Sequence, residues 1–344
     1  MRISQSQIFF PPEWAEQEFI QVTFPHADTD WADMLDEVQD CFCEIIRSIL
    51  IFENVLVVCA DEQSKLKIEN LQTQNSKYKL QIISCLSNDT WARDHAAITV
   101  FENKRRTLLD FTFNGWGFKF AANYDNLITS QLFSQKIFTN FNYKDCRNFI
   151  LEGGSIETDG AGTILTTEKC LLSDNRNYLN KNEIEDNLKK CFGIQRVLWL
   201  KNGALRGDDT DSHIDTLARF CNSDTIAYVK CDDIYNSHYQ EFAAMENELK
   251  NFCTLQGKPY NLIALPMADK VEFNGKQLPA TYANFLIINN AILLPSYNSP
   301  KDKTAFEILK KLFPKREIIP INCLPLIKQG GSLHCATMQF PKNI

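Results

Sequence analysis

Cys335 lies in the run Gly330-Gly331-Ser332-Leu333-His334-Cys335-Ala336-Thr337, where paired glycines let the backbone turn closely before a thiol. A nucleophilic cysteine needs an acid/base partner, and the chain has five histidines to supply one. His26, in Phe24-Pro25-His26-Ala27, and His238, on a polar helix face, are expected at the surface. His334 is expected to point away from Cys335 along a strand, and His95 away from Asp94. His213 stands apart. In Asp211-Ser212-His213-Ile214-Asp215 the alternation predicts a strand with Asp211, His213 and Asp215 on one face. Two further carboxylates end apolar or aromatic stretches: Asp94 in Trp91-Ala92-Arg93-Asp94, and Glu152 after Phe149-Ile150-Leu151. One thiol, one imidazole and several carboxylates are the equipment for attacking a positively charged carbon. Each residue also has a plainer reading, as a buried thiol, a polar strand face or a solvated turn. The combination favours chemistry.

The elements that must position these residues alternate regularly. Met34, Leu35, Val38, Phe42, Ile45, Ile46 and Ile49 recur at helical spacing and predict a helix over 33–52, followed by a buried strand at Val55–Cys59. Four more helix-then-strand passages are expected: 61–71 to 78–84, 182–191 to 197–200, 234–252 to 260–265, and 302–313 to 317–321. Short strands are expected at 96–100 and 163–166, and at 285–288 paired with 291–294 across an Asn289-Asn290 turn. Gly153-Gly154-Ser155-Ile156-Glu157 echoes Gly330-Gly331-Ser332-Leu333-His334, which suggests equivalent turns in related structural units. No linker or low-complexity block divides residues 1–344, so a single domain is expected.

Bulk properties exclude several classes. Hydrophobic content of 44% and charged content of 23% are those of a globular protein with ample core. A net charge of −7 argues against a nucleic-acid or anionic-membrane partner. The 12 cysteines form no zinc-finger spacing; most sit in apolar runs, and Cys41 and Cys43 point to different sides of a helix. Met1–Gln7 lacks the apolar centre of a secretory leader, and no run of about 18 apolar residues spans a membrane. A reducing cytoplasm is the expected location. No nucleotide loop or HExxH motif is present, so neither cofactor nor metal is expected.

Taken in order, these segments resemble the agmatine deiminase / bacterial-type peptidylarginine deiminase family of the guanidino-group-modifying superfamily. The resemblance runs from Pro11-Pro12-Glu13-Trp14 through Asn88–Asp94, Phe113-Asn114-Gly115-Trp116-Gly117, Glu152-Gly153-Gly154, Asp174-Asn175-Arg176-Asn177 and His213-Ile214-Asp215 to Gly330–Cys335. It implies a single α/β propeller of pseudo-fivefold symmetry, the pentein fold. It also implies Cys335 as nucleophile, His213 as acid/base, Asp94 and Asp215 as grips on a guanidinium, and Glu152 as the residue that helps orient it. Paired carboxylates suit a flat, permanent cation because they bind it by charge-assisted hydrogen bonds. Three carboxylates around Cys335 are expected to keep its thiol protonated until a cationic substrate arrives.

The expected reaction is cofactor-free hydrolysis of a small cationic guanidino compound to a ureido group and ammonia, with agmatine as first choice. Trp91, Trp116 and Gly331 are expected to wall the pocket, and Asp209, or Asp208, to meet a distal ammonium. Arg206 would suit the carboxylate of free arginine instead. Asp211-Ser212-His213-Ile214-Asp215-Thr216 and Ser332 depart from the family wording and leave the substrate open. Peptidyl-arginine or another alkylguanidine, amidino transfer, and a non-catalytic binding module are the alternatives, and oligomerisation is open.

Overall fold

The computed structural model of the protein describes residues 7–72 and 77–344. Most of the segment expected to lack a secretory leader therefore lies outside the described residues. Five sheets repeat one order of elements: a strand, an antiparallel neighbour, a helix, and a third strand parallel to the second. In one, Ala218–Asn222 pairs with Thr225–Lys230, the chain crosses through helix Tyr239–Asn251, and Asn261–Pro266 returns parallel. The same order holds for Leu286–Ile288, Ala291–Ser296, helix Pro300–Leu312 and Glu317–Asn322. It holds again for Ile156–Thr158, Thr163–Thr167, helix Lys181–Phe192 and Arg196–Leu200. Parallel neighbours require such a crossover, because a hairpin can only reverse the chain.

A fourth sheet contains Ile98–Glu102, Arg105–Thr112, helix Ile128–Ser134 and Asn142–Ile150, with Ile8–Phe9 on its edge. The fifth closes the ring. Its first strand is the chain's last, Thr337–Pro341, which pairs with Gln17–Thr23 before helix Leu35–Leu50 leads to Asn54–Cys59. An extra helix, Glu62–Glu69, then adds Leu80–Ser84 as a fourth strand. The molecule is an α/β propeller of five related units.

Local sequence explains many boundaries. Asn180 and Glu183 form a reciprocal capping box at the start of helix Lys181–Phe192, which Gly193 ends in the left-handed conformation. Ser299 and Asp302 do the same for the helix that begins at Pro300. Helix Leu35–Leu50 buries Val38, Phe42, Ile45, Ile46 and Ile49 against the sheets.

Five helix-then-strand passages were expected and all five occur, but they do not map one to each unit. The first two belong to the same sheet. The passage from Ile128–Ser134 to Asn142–Ile150 escapes periodicity because the helix is short and the strand exposes much of its polar run. The helix expected from Ile234 begins at Tyr239, after a turn that leaves Ile234 and Tyr235 exposed. The strand expected at Asp211–Asp215 is absent. Asp211 and Ser212 turn through left-handed backbone, φ 66° and 67°, and Ile214–Thr216 form a single 3-10 turn. His26 and His238 are buried rather than superficial; His26 bonds to Ser87, and His238 accepts from the Arg206 amide. Among the described residues, no helix is long and apolar enough to cross a membrane.

Candidate active site

Each unit is entered through a turn just before its first strand, and each of these turns delivers a polar side chain to one place. Asp94 precedes Ile98–Glu102, and Glu152 precedes Ile156–Thr158. His213 and Asp215 precede Ala218–Asn222, Asn284 precedes Leu286–Ile288, and Cys335 precedes Thr337–Pro341. The glycine-rich echo noted in the sequence is not a structural equivalence: Gly154 lies two residues before its strand and Gly331 six, and of these glycines Gly330 takes a positive φ while Gly153 and Gly154 do not.

Convergence depends on the absence of a side chain at Gly154. A Cβ there would lie 2.7 Å from His213 Nδ1, 2.8 Å from Asp94 Oδ1 and 3.1 Å from Asp215 Oδ2, so three functional groups meet over one glycine. The Gly154 amide donates to Asp94 Oδ1 at 2.9 Å, and the Trp116 indole donates to Asp94 Oδ2 at 2.9 Å. Asp94 Oδ1 also stands 3.7 Å from His213 Nδ1. On the other side, Cys335 Sγ lies 3.7 Å from Asp215 Oδ2 and accepts from Asn284 Nδ2 at 3.3 Å. Asn284 Oδ1 in turn accepts from the His334 amide at 2.8 Å, which fixes the turn that carries the thiol.

A cleft of about 360 Å³ opens onto this cluster. Cys335 and Asp94 form its floor; Trp91, Trp116, Phe120 and Gly331 form its walls. A Cβ on Gly331 would press to 2.4 Å from the Trp91 ring, so only glycine allows that wall to close. Toward the mouth stand Asp30, Asp89 and Asp209, and among the described residues no lysine or arginine lines the cleft. His213, Asp215 and Glu152 lie behind the floor, fully buried.

Burial and charge set the proton states. The Cys335 thiol is pushed well above its usual range, first by burial and then by Asp215 and Asp94, while the Asn284 donor pulls the other way. The expected direction holds, but burial rather than the carboxylates is the larger cause. Burial alone would push His213 down; the Asp94 carboxylate, then Cys170 and Glu152, lift it well above the usual imidazole range. Burial raises Asp215, but His334, His213 and Arg219 together outweigh that cost and leave it depressed. Asp94 is raised by burial. At the mouth, burial raises Asp89 and Asp209 to about 6 each, Asp208 adding to the effect on Asp209.

Cys335, His213, Asp94 and Asp215 converge, and Trp91, Trp116, Asp209 and Gly331 line the cleft. Glu152 is near but differently employed. Its carboxylate accepts from Arg176 Nε at 3.0 and 3.1 Å and does not reach the cleft, so its neighbours are Arg176, Cys170 and His213. Asp208 turns inward to Thr210 and the Ser212 amide, leaving Asp209 as the mouth residue. Arg206 is exposed and outside the lining. Sequence reasoning missed Asn284, although its place before the strand at 286–288 repeats that of the other site residues. It also misplaced His334. There is no strand at that point, and the ring turns back to Asp215 Oδ2 at 2.8 Å. Among the described residues, two groups have metal-ligating geometry, Glu152/Cys170/His213 and Glu13/Glu157/His334. In both, an arginine already pairs with the carboxylates: Arg176 with Glu152, Arg219 with Glu13 and Glu157.

Comparison with known proteins shows the family and the fold. Residues 9–341 match the family model of the Porphyromonas-type peptidyl-arginine deiminases. A C. jejuni agmatine deiminase, solved as a Cys→Ser variant with substrate bound, is 37% identical with TM-score 0.92, covering 100% of this chain and 99% of that one. A Porphyromonas gingivalis structure named provisionally as an arginine deiminase is 48% identical with TM-score 0.91, covering 98% and 99%. A Legionella pneumophila protein, named provisionally as an agmatine deiminase, is 32% identical over 98% of this chain and 96% of its own.

Proposed function

Since the chain belongs to the Porphyromonas-type peptidyl-arginine deiminase family, we propose that it hydrolyses the guanidino group of agmatine to a ureido group, with release of ammonia. The carrying observation is the cleft itself: a buried thiol beside Asp94 at the floor, Asp209 and Asp89 at the mouth, and no cationic side chain in the lining among the described residues. A slender dication fits that charge pattern. Free arginine would bring its carboxylate against the acidic mouth.

In this reading Asp94 and Asp215 grip the guanidinium, and Trp91 and Trp116 exclude water from it. The bound cation offsets the field that holds Cys335 protonated, and the thiol proton leaves to solvent. The thiolate then adds to the central carbon. His213, charged in the resting site, protonates the departing ammonia and leaves a thiouronium. Neutral His213 next takes a proton from water as hydroxide adds, and collapse releases the ureido product and the Cys335 sulfur. Asn284 Nδ2 steadies the sulfur anion at both stages. Glu152 acts from behind by keeping His213 charged and in place. The reading takes residues 1–344 as one catalytic propeller working in the cytoplasm, which the unpaired state of all 12 cysteines supports.

Lys119 favours a second reading, an arginine substrate. Its ammonium donates to Asp209 O at 2.6 Å and Asp211 Oδ1 at 2.8 Å, and could swing to a carboxylate at the mouth. The decisive experiment supplies agmatine, arginine and a blocked arginine peptide to the wild-type chain and to Cys335→Ala, and measures ureido product. Product from agmatine with the wild type alone supports the proposal. Product from none, or undiminished product with Cys335→Ala, overturns it.

A further inference from the structure

We propose that His334 is a positioning residue, which through Asp215 holds the guanidinium grip in working geometry. The inference rests on the reading above and goes beyond it, because the ring makes no contact with the cleft. His334 is buried, with a carboxylate oxygen 2.8 Å from each ring nitrogen: Asp215 Oδ2 at Nδ1 and Glu13 Oε2 at Nε2. Arg219 Nη2 lies 3.0 Å from Nε2 and also donates to Glu13 Oε2, so two donors converge on that oxygen. Each carboxylate oxygen is satisfied when the facing nitrogen carries hydrogen. The ring is then a rigid strut between Asp215 and the Glu13–Arg219 pair.

Two observations connect the strut to catalysis. Asp215 Oδ2 is the atom that stands 3.7 Å from Cys335 Sγ, so the bond from His334 fixes the carboxylate against the thiol. Asp215 Oδ1 is buried with no hydrogen-bond partner, an expensive state for a carboxylate oxygen unless a donor arrives from a ligand. With Oδ2 fastened by His334, Oδ1 is the oxygen left to receive a guanidinium N–H. The chain also places His334 next to the nucleophile, and its backbone amide donates to the Asn284 oxygen, so one residue registers Cys335, Asn284 and Asp215 together. Glu13 supplies the far anchor, bound through Oε1 to the Ile287 amide, which ties the strut to the neighbouring unit.

The two amide side chains separate the two ends of the ring. His334→Asn places an N–H near Nδ1 and keeps the bond to Asp215; His334→Gln places one near Nε2 and keeps only Glu13. Both lose the ring, so a purely structural role predicts equal losses of activity and of Tm. The positioning role predicts that His334→Gln loses roughly 10–100-fold in kcat/KM for agmatine, the value of a hydrogen bond to a charged group, while His334→Asn recovers most of it at similar Tm. Agmatine binding to Cys335→Ala should weaken in parallel when His334→Gln is added and not when His334→Asn is added. Equal kcat/KM in both variants overturns the inference while leaving the proposed function intact. No turnover by the wild type removes both. Should His334→Gln fail to fold, ¹⁵N-edited NMR of Cys335→Ala decides: the Nδ1–H resonance of His334 must move when agmatine binds, and a stationary resonance overturns the proposal.

Discussion

At the residue scale, the cleft asks its side chains to hold a cation before any bond is made. Asp209 and Asp89 have carboxyl pKa values raised to about 6 by burial. A raised folded-state value means that the folded protein holds the proton more tightly than the unfolded chain does. Their contribution to stability is therefore full at low pH and falls as pH rises from about 4 toward about 6. Affinity for a cation runs the other way. KM for agmatine should drop as pH rises through about 6, and Asp209→Asn should remove part of that dependence and raise KM by about tenfold with a smaller change in kcat. Steady-state kinetics from pH 5 to 8 checks both; a flat KM would exclude Asp209 from binding. The elevated Cys335 thiol gives another test. Thiolate absorbance of the free protein should be low at pH 7, and a largely ionised sulfur would contradict substrate-driven activation.

At the scale of elements, the loop Asn114–Phe120 carries the largest local demand. Gly115, Trp116, Gly117 and Phe118 all take positive φ, between 54° and 85°, in succession. For Trp116 and Phe118 such backbone costs of order 1 kcal/mol each, and the loop persists because tertiary contacts hold it. Asn114 caps it by accepting from the Gly117 amide, and the Trp116 indole ends on Asp94 Oδ2. Trp116→Phe should keep the wall and lose that bond, lowering kcat/KM by roughly tenfold. Gly154→Ala is harsher, because its methyl would enter the space where His213, Asp94 and Asp215 meet. Activity should fall far more than Tm, measured on the same sample. A Tm loss without loss of activity would show that the three groups do not work over Gly154.

At the scale of the whole molecule, the units are tied by buried charge as well as by apolar packing. Arg219 begins one unit and reaches Glu157 of another, the carbonyls of Ala283 and Phe285 before a third, and Glu13 near the chain's start. Removing one partner from such a cluster strands the others, so Arg219→Met should cost about 3–5 kcal/mol of stability by urea unfolding. Ring closure by Thr337–Pro341 against Gln17–Thr23 has a related consequence. The strand that closes the fold is the one that Cys335 enters, so the nucleophile is placed only once both ends of the chain have met.

Much of the propeller was open to reading in one dimension. Helix Leu35–Leu50 announced itself by apolar spacing and the hairpin at Asn289-Asn290 by its turn residues, whereas the likeness of the two glycine-rich segments did not mark equivalent turns. His213 stood out by its carboxylate-flanked setting and Cys335 by its glycine-rich one, while the roles expected of them and of Asp94 and Asp215 came from the family resemblance. What sequence could not show is how equivalent turns from five units face one axis. Alternation suggested a strand at Asp211–Asp215, yet left-handed residues made a turn there, since the site needed His213 and Asp215 aimed from a sharp corner. Asn284 carries no reactive group, and His334 works only through its neighbours, so neither declares itself in isolation. Residue type is local and can be read along the chain. Partnership between Glu13, His334 and Asp215, hundreds of residues apart, exists only after folding, when burial makes every unpaired polar atom costly and so decides who bonds to whom.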